Sequence, residues 1–230
     1  MTPKPPPGAP GPTGQEGAAG QERPGTLRRA RAARTEAAFK EAARAVFARK
    51  GFINAKIGDI AAEAGRAAGS FYNHFPSKEA VLEALVTDWV DAAGRELTGH
   101  GTDHDLSDPE HLRRHVAVVW HTYRAHLPEI RALQEAALVN DAFARRLDAL
   151  QYAESEVLRQ HLADMRSAGA ELPGPVDLVA SAVLALLNEF SRTWLLSGAA
   201  AGGRCPTDEE AVDTLTRFIL HGLAGGPGDS

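Results

Sequence analysis

An all-α fold is what this sequence predicts, and three observations predict it. Apolar residues recur at three- and four-residue steps in one window after another, and no alternating strand pattern survives beyond four residues. Gly and Pro punctuate those windows where helices need to end or begin. The third observation is the stretch from Ile57 to Leu82, IGDIAAEAGRAAGSFYNHFPSKEAVL. It reads as two short helices around a glycine turn, an aromatic-rich helix end, a Pro break and a new helix start. That grammar is a helix-turn-helix with a further helix to support it, a unit suited to placing a short helix in the major groove of DNA.

The elements follow in order. Residues 1–25 are rich in Pro and Gly with scarcely a large apolar side chain, so they are expected to be disordered. Leu27 to Lys50 has high helix propensity, with Phe39, Ala43, Val46 and Phe47 on one face and Arg28, Arg29, Arg31 and Arg34 crowding its start. Gly51 suits the residue just past its end. Ile57 to Ala64 is the second helix, Gly65 the turn, and Ala67 to Phe75 the third helix, stopped by Pro76. Ser77 is placed to cap a fourth helix from about Lys78 to Leu97. A polar loop from Gly99 to Ser107 precedes helical patterns at Pro109 to His126, Glu129 to Val139 and Asp141 to Ala168, the first capped by Asp108. Leu172 to Pro175 breaks the chain. Val176 to Leu196 is the most apolar helix, and after a Gly/Ala loop the last runs from about Thr207 to Leu223, opening with TDEE at its positive dipole end. The expected organisation is a three-helix head in 26–76, a larger helical region in 77–224 and a short flexible tail in 225–230.

Charge divides the same way. The 230-residue chain carries a net −5, yet residues 23–78 hold 12 Lys/Arg against 4 Asp/Glu, a net +8. Residues 79–230 hold 12 against 24, a net −12. A basic segment coinciding with a helix-turn-helix is an electrostatic footprint for a polyanion, and the acidic remainder would turn that end toward the duplex. The one cysteine, Cys205, excludes an internal disulfide. With no run of 18 apolar residues and no apolar secretory core at the N-terminus, the expected partner list excludes a membrane and the expected location is the cytoplasm.

The head resembles that of the TetR family of transcriptional regulators. RTEAAFKEAARAVFARKGF is similar to the family's first helix and IGDIAAEAGRAAGSFYNHFPSKEAVL to its second to fourth; the most diagnostic pieces are DIAAEAG, the Tyr72 and His74 of SFYNHF, and SKEA. The resemblance implies an all-α homodimer that binds double-stranded DNA at a roughly palindromic operator and is released by a small, largely apolar inducer. It implies base contacts from the start of the third helix, Ala67, Ala68, Gly69 and Ser70, followed by Tyr72, Asn73 and His74, with Lys78 on a phosphate. Ser70 and Asn73 can hydrogen-bond base edges, and an alanine can touch a thymine methyl. The chain departs from the family pattern at three places. Arg66 stands where a small apolar residue plugs the turn and is expected to face a phosphate. Gly58 replaces a polar contact. Lys56 replaces a capping Ser or Thr while adding a charge near the backbone.

The resemblance further implies a ligand cavity in the larger region, for which Trp89, His115, Trp120, Tyr123, Gln134, Phe143, Tyr152, Asn188 and Phe190 are the candidates. It also implies a four-helix dimer interface from the last two helices. The apolar stripe Val176, Val179, Val183, Leu187, Phe190 and Trp194, with Leu215 and Phe218, is the expected surface. Two rival readings stand beside this one: a DNA-binding protein controlled by a protein partner or acting without ligand, and an all-α metal-binding protein or enzyme. The second draws on His100 and His104, and on His111 and His115, each pair four residues apart. No HExxH, phosphate-binding glycine loop or GxSxG elbow accompanies them, so no cofactor, metal or catalytic residue is expected.

Overall fold

The structure, a computed structural model, describes Met1 and residues 24–98, 106–196 and 205–223. The expected tails, the His100 and His104 loop, and the Gly/Ala loop after Leu196 therefore lie largely outside the described residues. Among the described residues there is no strand, and nine α-helices follow in order: α1 (Pro24–Asn54), α2 (Ile57–Glu63), α3 (Ala68–Phe71), α4 (Lys78–Thr98), α5 (Pro109–Ala125), α6 (Leu127–Val139), α7 (Asp141–Ser167), α8 (Val176–Ser191) and α9 (Asp208–Leu223). A π-helical turn, Arg192–Leu196, extends α8.

The punctuation read from the sequence has physical counterparts. Gly51 interrupts α1 with φ 71°, a left-handed conformation, before a last turn ends at Asn54. Ser77 Oγ accepts the Ala80 N–H at 3.2 Å. Asp108 accepts the N–H groups of Glu110 and His111 at 2.8 and 3.0 Å. Those two bonds hold its carboxyl below the ordinary carboxylate range, the His111 bond first. Thr207 and Glu210 close a reciprocal capping box on α9, Oγ1 accepting the Glu210 N–H and Oε2 the Thr207 N–H. Asn140, which sequence reading passed over, caps α7 by accepting the Phe143 N–H at 3.0 Å.

In the start of α1, up to Thr35, Arg28, Arg29, Arg31 and Arg34 are exposed. From Glu36 onward two apolar cores organise the chain. The first joins Phe39, Val46, Phe47 and Phe52 of α1 to Ile60, Phe71, Phe75, Leu82 and Leu85, and continues into Ala132, Leu133 and Ala136 of α6 and Phe143 of α7. The core beneath the head therefore does not stop at Pro76. The second joins α5, α7, α8 and α9 through Leu112, Val116, Trp120, Leu162, Leu187, Leu215 and Ile219.

Candidate nucleic-acid interface

The helix-turn-helix is built on aromatic packing. Phe39 of α1 meets Phe71 of α3 edge-on at 5.4 Å, and Phe71 meets Phe75 at 5.7 Å. Between α2 and α3 the chain turns at Gly65, φ 64°. The N–H groups of Arg66 and Gly65 donate to the carbonyls of Ala61 and Ala62 at 2.9 and 3.0 Å. That reciprocal pair is a Schellman motif, and it sets the angle between the two helices. At the other end of α2, Lys56 has no acceptor with which to cap. Instead Asp59 accepts the Lys56 N–H at 3.1 Å and pairs with Lys50 at 2.8 Å, contacts that keep its carboxyl below the ordinary range, Lys50 contributing most.

α3 is shorter than the Ala67 to Phe75 span predicted. Its four residues are followed by turns in which His74 and Phe75 N–H both donate to the Phe71 carbonyl at 2.9 Å. Pro76 accounts for this, because it disfavours helical geometry in the residue before it. The outer surface of this segment has low relief. Ala67, Ala68, Gly69 and Asn73 are exposed and Tyr72 is 58 % exposed. No atom lies within 4 Å of the place a Cβ would occupy at Gly69 or at Gly58. Ser70 is half-buried, and so is His74, whose ring lies 5.8 Å from that of Phe39.

The cations sort into two groups. Lys56 and Arg66 are exposed and take part in no ion pair among the described residues, so both are open to a phosphate. Arg49 and Lys50 are engaged with Glu63 and Asp59 at 2.7 and 2.8 Å. Lys78, expected on a phosphate, already has partners in the protein. Its ammonium donates to the carbonyls of Phe52, Ala55 and Ile53 at 2.7, 3.3 and 3.4 Å and lies 4.2 Å from the centre of the Phe52 ring. All three protons serve to dock the end of α1 on the start of α4, so a phosphate would have to compete with three carbonyls.

The sequence pattern that defines bacterial regulatory proteins of the tetR family matches residues 41–85, the segment whose geometry has just been described. The HTH-type transcriptional regulator EthR of Mycolicibacterium smegmatis is 27 % identical over 194 residues, covering 83 % of this chain and 86 % of that one. The head is thus that of a tetR-family regulator. Solved structures agree on the fold of the whole regulator. The fatty acid degradation regulator FadR of Bacillus halodurans superposes with a TM-score of 0.66 at 22 % identity, over 82 % of this chain and 96 % of that one. A transcriptional regulator of Saccharomonospora viridis, solved in complex with choline, superposes with a TM-score of 0.64 at 19 % identity, over 83 % and 98 %. The regulator is thus a DNA-binding transcription factor with an N-terminal helix-turn-helix and a helical C-terminal region. Its family is one of regulators and not of enzymes. No described helix is long and apolar enough to cross a membrane.

Sequence reading missed how the regulator's two ends are joined. Glu129 at the start of α6 is fully buried, and its Oε1 accepts from Arg44 of α1 and lies 3.4 Å from His126 Nδ1. Burial alone would push this carboxyl up; the His126 and Arg44 contacts outweigh it and hold it below its ordinary value. Arg44 also reaches Glu41 one turn earlier on its own helix. Further along α6, Glu135 accepts the Ile53 N–H at 3.1 Å, and its oxygens lie under 3 Å from where a Cβ would stand on Gly51. Two carboxylates of α6 therefore grip the second half of α1. Nothing local in the sequence marks Glu129, which differs from any acidic residue in a first helical turn only by its distant partner.

The regulator's expected ligand residues scatter. Trp120 and Phe143 are packed into separate cores, and the Trp120 indole is pinned to Asp208 at 2.8 Å. That bond foremost holds the Asp208 carboxyl below its ordinary value. Gln134 and Asn188 face outward, and the Tyr152 side chain lies outside those described. Trp89, His115, Tyr123 and Phe190 are half-buried. Trp89 packs on His126 with ring centres 4.7 Å apart, His115 on His161 at 5.9 Å, and burial raises the Tyr123 phenol. Phe190 and Trp194 instead line a cleft of about 500 Å³ beside Glu209, Asp213 and Arg217 of α9. Among the described residues no three His, Cys, Asp or Glu side chains are arranged to hold a metal.

Most of the expected dimer stripe also serves the chain's own core. Val179, Leu187 and Leu215 are buried within the chain's own second core, and Val176, Val183, Phe190 and Trp194 pack against it. Only Phe218, 67 % exposed, faces outward as expected, and on α8 the outward apolar residue is Leu178, 63 % exposed. The stripe is a core stripe because the largest apolar side chains go to the nearest apolar partner, here α5, α7 and α9 of the same chain.

Proposed function

We propose that the protein is a cytoplasmic, homodimeric repressor that a small, largely apolar ligand releases from a roughly palindromic operator. Residues 26–76 would read the DNA and 77–224 would hold the ligand and the mate. In this reading the two copies of α3 enter successive major grooves on one face of the duplex, about 34–36 Å or a multiple apart. Ala67, Ala68, Gly69, Ser70, Tyr72 and Asn73 face base edges, while Lys56 and Arg66 neutralise phosphates. The observation that carries it is the exposed start of α3, held on a buried Phe39–Phe71–Phe75 scaffold inside the segment that matches the family. Leu178 and Phe218 support a mate on the outer faces of α8 and α9. The half-buried Trp89, His115 and Tyr123 support an effector site among α4, α5 and their neighbours.

The test is fluorescence anisotropy on DNA from upstream of the protein's own gene, with scrambled DNA of the same composition as competitor. A sequence-preferring complex that weakens steeply with salt is expected. Equal affinity for both DNAs, or a Tyr72→Ala variant indistinguishable from the parent, refutes the reading.

A further inference from the structure

We infer that Glu129 is the contact point for the effector, and that the effector is a hydrophobic cation: an apolar body carrying a protonated amine. The inference rests on the reading of the protein as a ligand-released regulator and names the ligand class and the point of action. Glu129 is fully buried, at 0 % accessibility. One of its oxygens is occupied by Arg44 and His126; the other, Oε2, is buried and accepts no hydrogen bond among the described residues. A buried carboxylate oxygen left unmatched is costly, and the group that satisfies it best is a charged donor. His126, which borders the carboxylate, carries Trp89 edge-on against its ring at 4.7 Å, and an aromatic face attracts a cation as well as apolar surface.

The second half of the inference is how this contact would be felt by the head. Arg44 is bonded both to Glu129 on α6 and to Glu41 on its own helix. A second cation on Glu129 repels Arg44 and competes for the same negative charge, while Glu41 remains as a partner that keeps the guanidinium satisfied. Arg44 makes both bonds at once, so it keeps a partner on its own helix if the bond to α6 is lost. An amine at Oε2 favours loss of the bond to α6, which leaves α6 holding α1 through the Glu135–Ile53 bond and their shared apolar core. This supplies the differential contact that a ligand needs in order to shift a two-state equilibrium.

The experiment uses the full chain and a graded panel of primary alkylammonium ions and benzylammonium, each beside the alcohol and the carboxylate of the same skeleton. Binding is read by calorimetry without DNA, and operator affinity by anisotropy. At least one amine should bind about tenfold more tightly than its alcohol, with its carboxylate weaker still, and should lower operator affinity. Glu129→Gln should erase the preference for amine over alcohol. Because it also removes the charge that holds Arg44, it should weaken operator binding with no ligand present, its helical circular dichroism unchanged. Alcohols or carboxylates binding as well as amines, no amine binding at all, or an undiminished amine preference in Glu129→Gln overturns the inference. Failure to find any operator complex overturns the regulatory reading, and the calorimetry still decides whether Glu129 takes an amine.

Discussion

Replacing Arg44 by Met isolates the charge that joins α1 to α6, because Met keeps much of the apolar stem while removing the guanidinium. Glu129 is fully buried, whereas the Arg44 side chain is 33 % exposed. Removing one partner of a wholly buried pair costs about 3–5 kcal/mol. Here the arginine is partly solvated and His126 remains beside the carboxylate, so the expected loss is lower, about 2–3 kcal/mol. For a chain of this size that is a fall in Tm of roughly 4–12 °C. The pH dependence fixes the sign. In the parent Glu129 sits below its ordinary value, so the pair's contribution is present above the unfolded carboxyl value of 4.5 and lost as pH falls through the lower folded value. In Arg44→Met, burial is no longer outweighed by the arginine, and the carboxyl moves upward and protonates sooner. Urea denaturation at pH 7 and at pH 4 should therefore show a wide gap between parent and variant that narrows in acid. A gap of equal size at both pH values, or a shift under about 0.5 kcal/mol at pH 7, the ordinary range for an inconsequential surface change, would refute the argument. Glu129→Gln in the same background supplies a double-mutant cycle, and coupling of about 1–2 kcal/mol is expected for groups in direct contact.

Lys78→Ala should lower Tm by about 3–6 °C through the loss of its bonds to α1 carbonyls while leaving the salt dependence of operator binding unchanged. Lys56→Ala and Arg66→Ala should do the reverse, each reducing the slope of log affinity against log salt by about 1 with Tm intact. Gly69→Ala meets open space and gains helix propensity, so it should raise stability by about 0.5–1 kcal/mol. The same methyl should weaken operator binding if the backbone at Gly69 approaches the DNA closely; calorimetry and anisotropy on one preparation check both. Leu178→Glu with Phe218→Glu should yield a folded monomer in sedimentation equilibrium, whereas Leu187→Ala should cost about 2–5 kcal/mol of stability and leave the assembly state alone.

What the sequence disclosed and what it withheld divide along the range of the interaction. Helix ends were legible because their causes lie within four residues: Gly51 and Gly65 adopt φ 71° and 64°, and Ser77 and Asp108 accept the N–H groups their positions foretold. The head's inner face on α1 was legible because Phe39, Ala43, Val46 and Phe47 recur at three- and four-residue steps, and all four are buried. The face that α8 turns to its own core was misread, because an apolar stripe carries no label saying which chain will cover it. Lys78 has a second role that sequence did not show, for a related reason. A lysine beside a basic module suggests a phosphate, but the open carbonyls at the end of α1 are an equally good anion surrogate and are already in place. Glu129 and Arg44 are 85 residues apart, and nothing near either announces the other.

These long-range contacts change which element is expected to transmit a signal. By connectivity alone α4 would be the lever, because it leads from the head into the larger region. In the structure the second half of α1 is held from two sides, by Lys78 at the start of α4 and by Glu129 and Glu135 of α6. The apolar core under the head also runs into α6 through Ala132, Leu133 and Ala136. A close-packed core yields by switching between arrangements and not by continuous deformation, so a displacement of α6 is not absorbed where it occurs. It passes to α1, and through the Phe39–Phe71 contact to the helix that faces DNA. On this argument α6 and α4 act on the same end of one helix, and a variant that weakens the α6 contacts should alter release by effector more than it alters the affinity of either ligand alone.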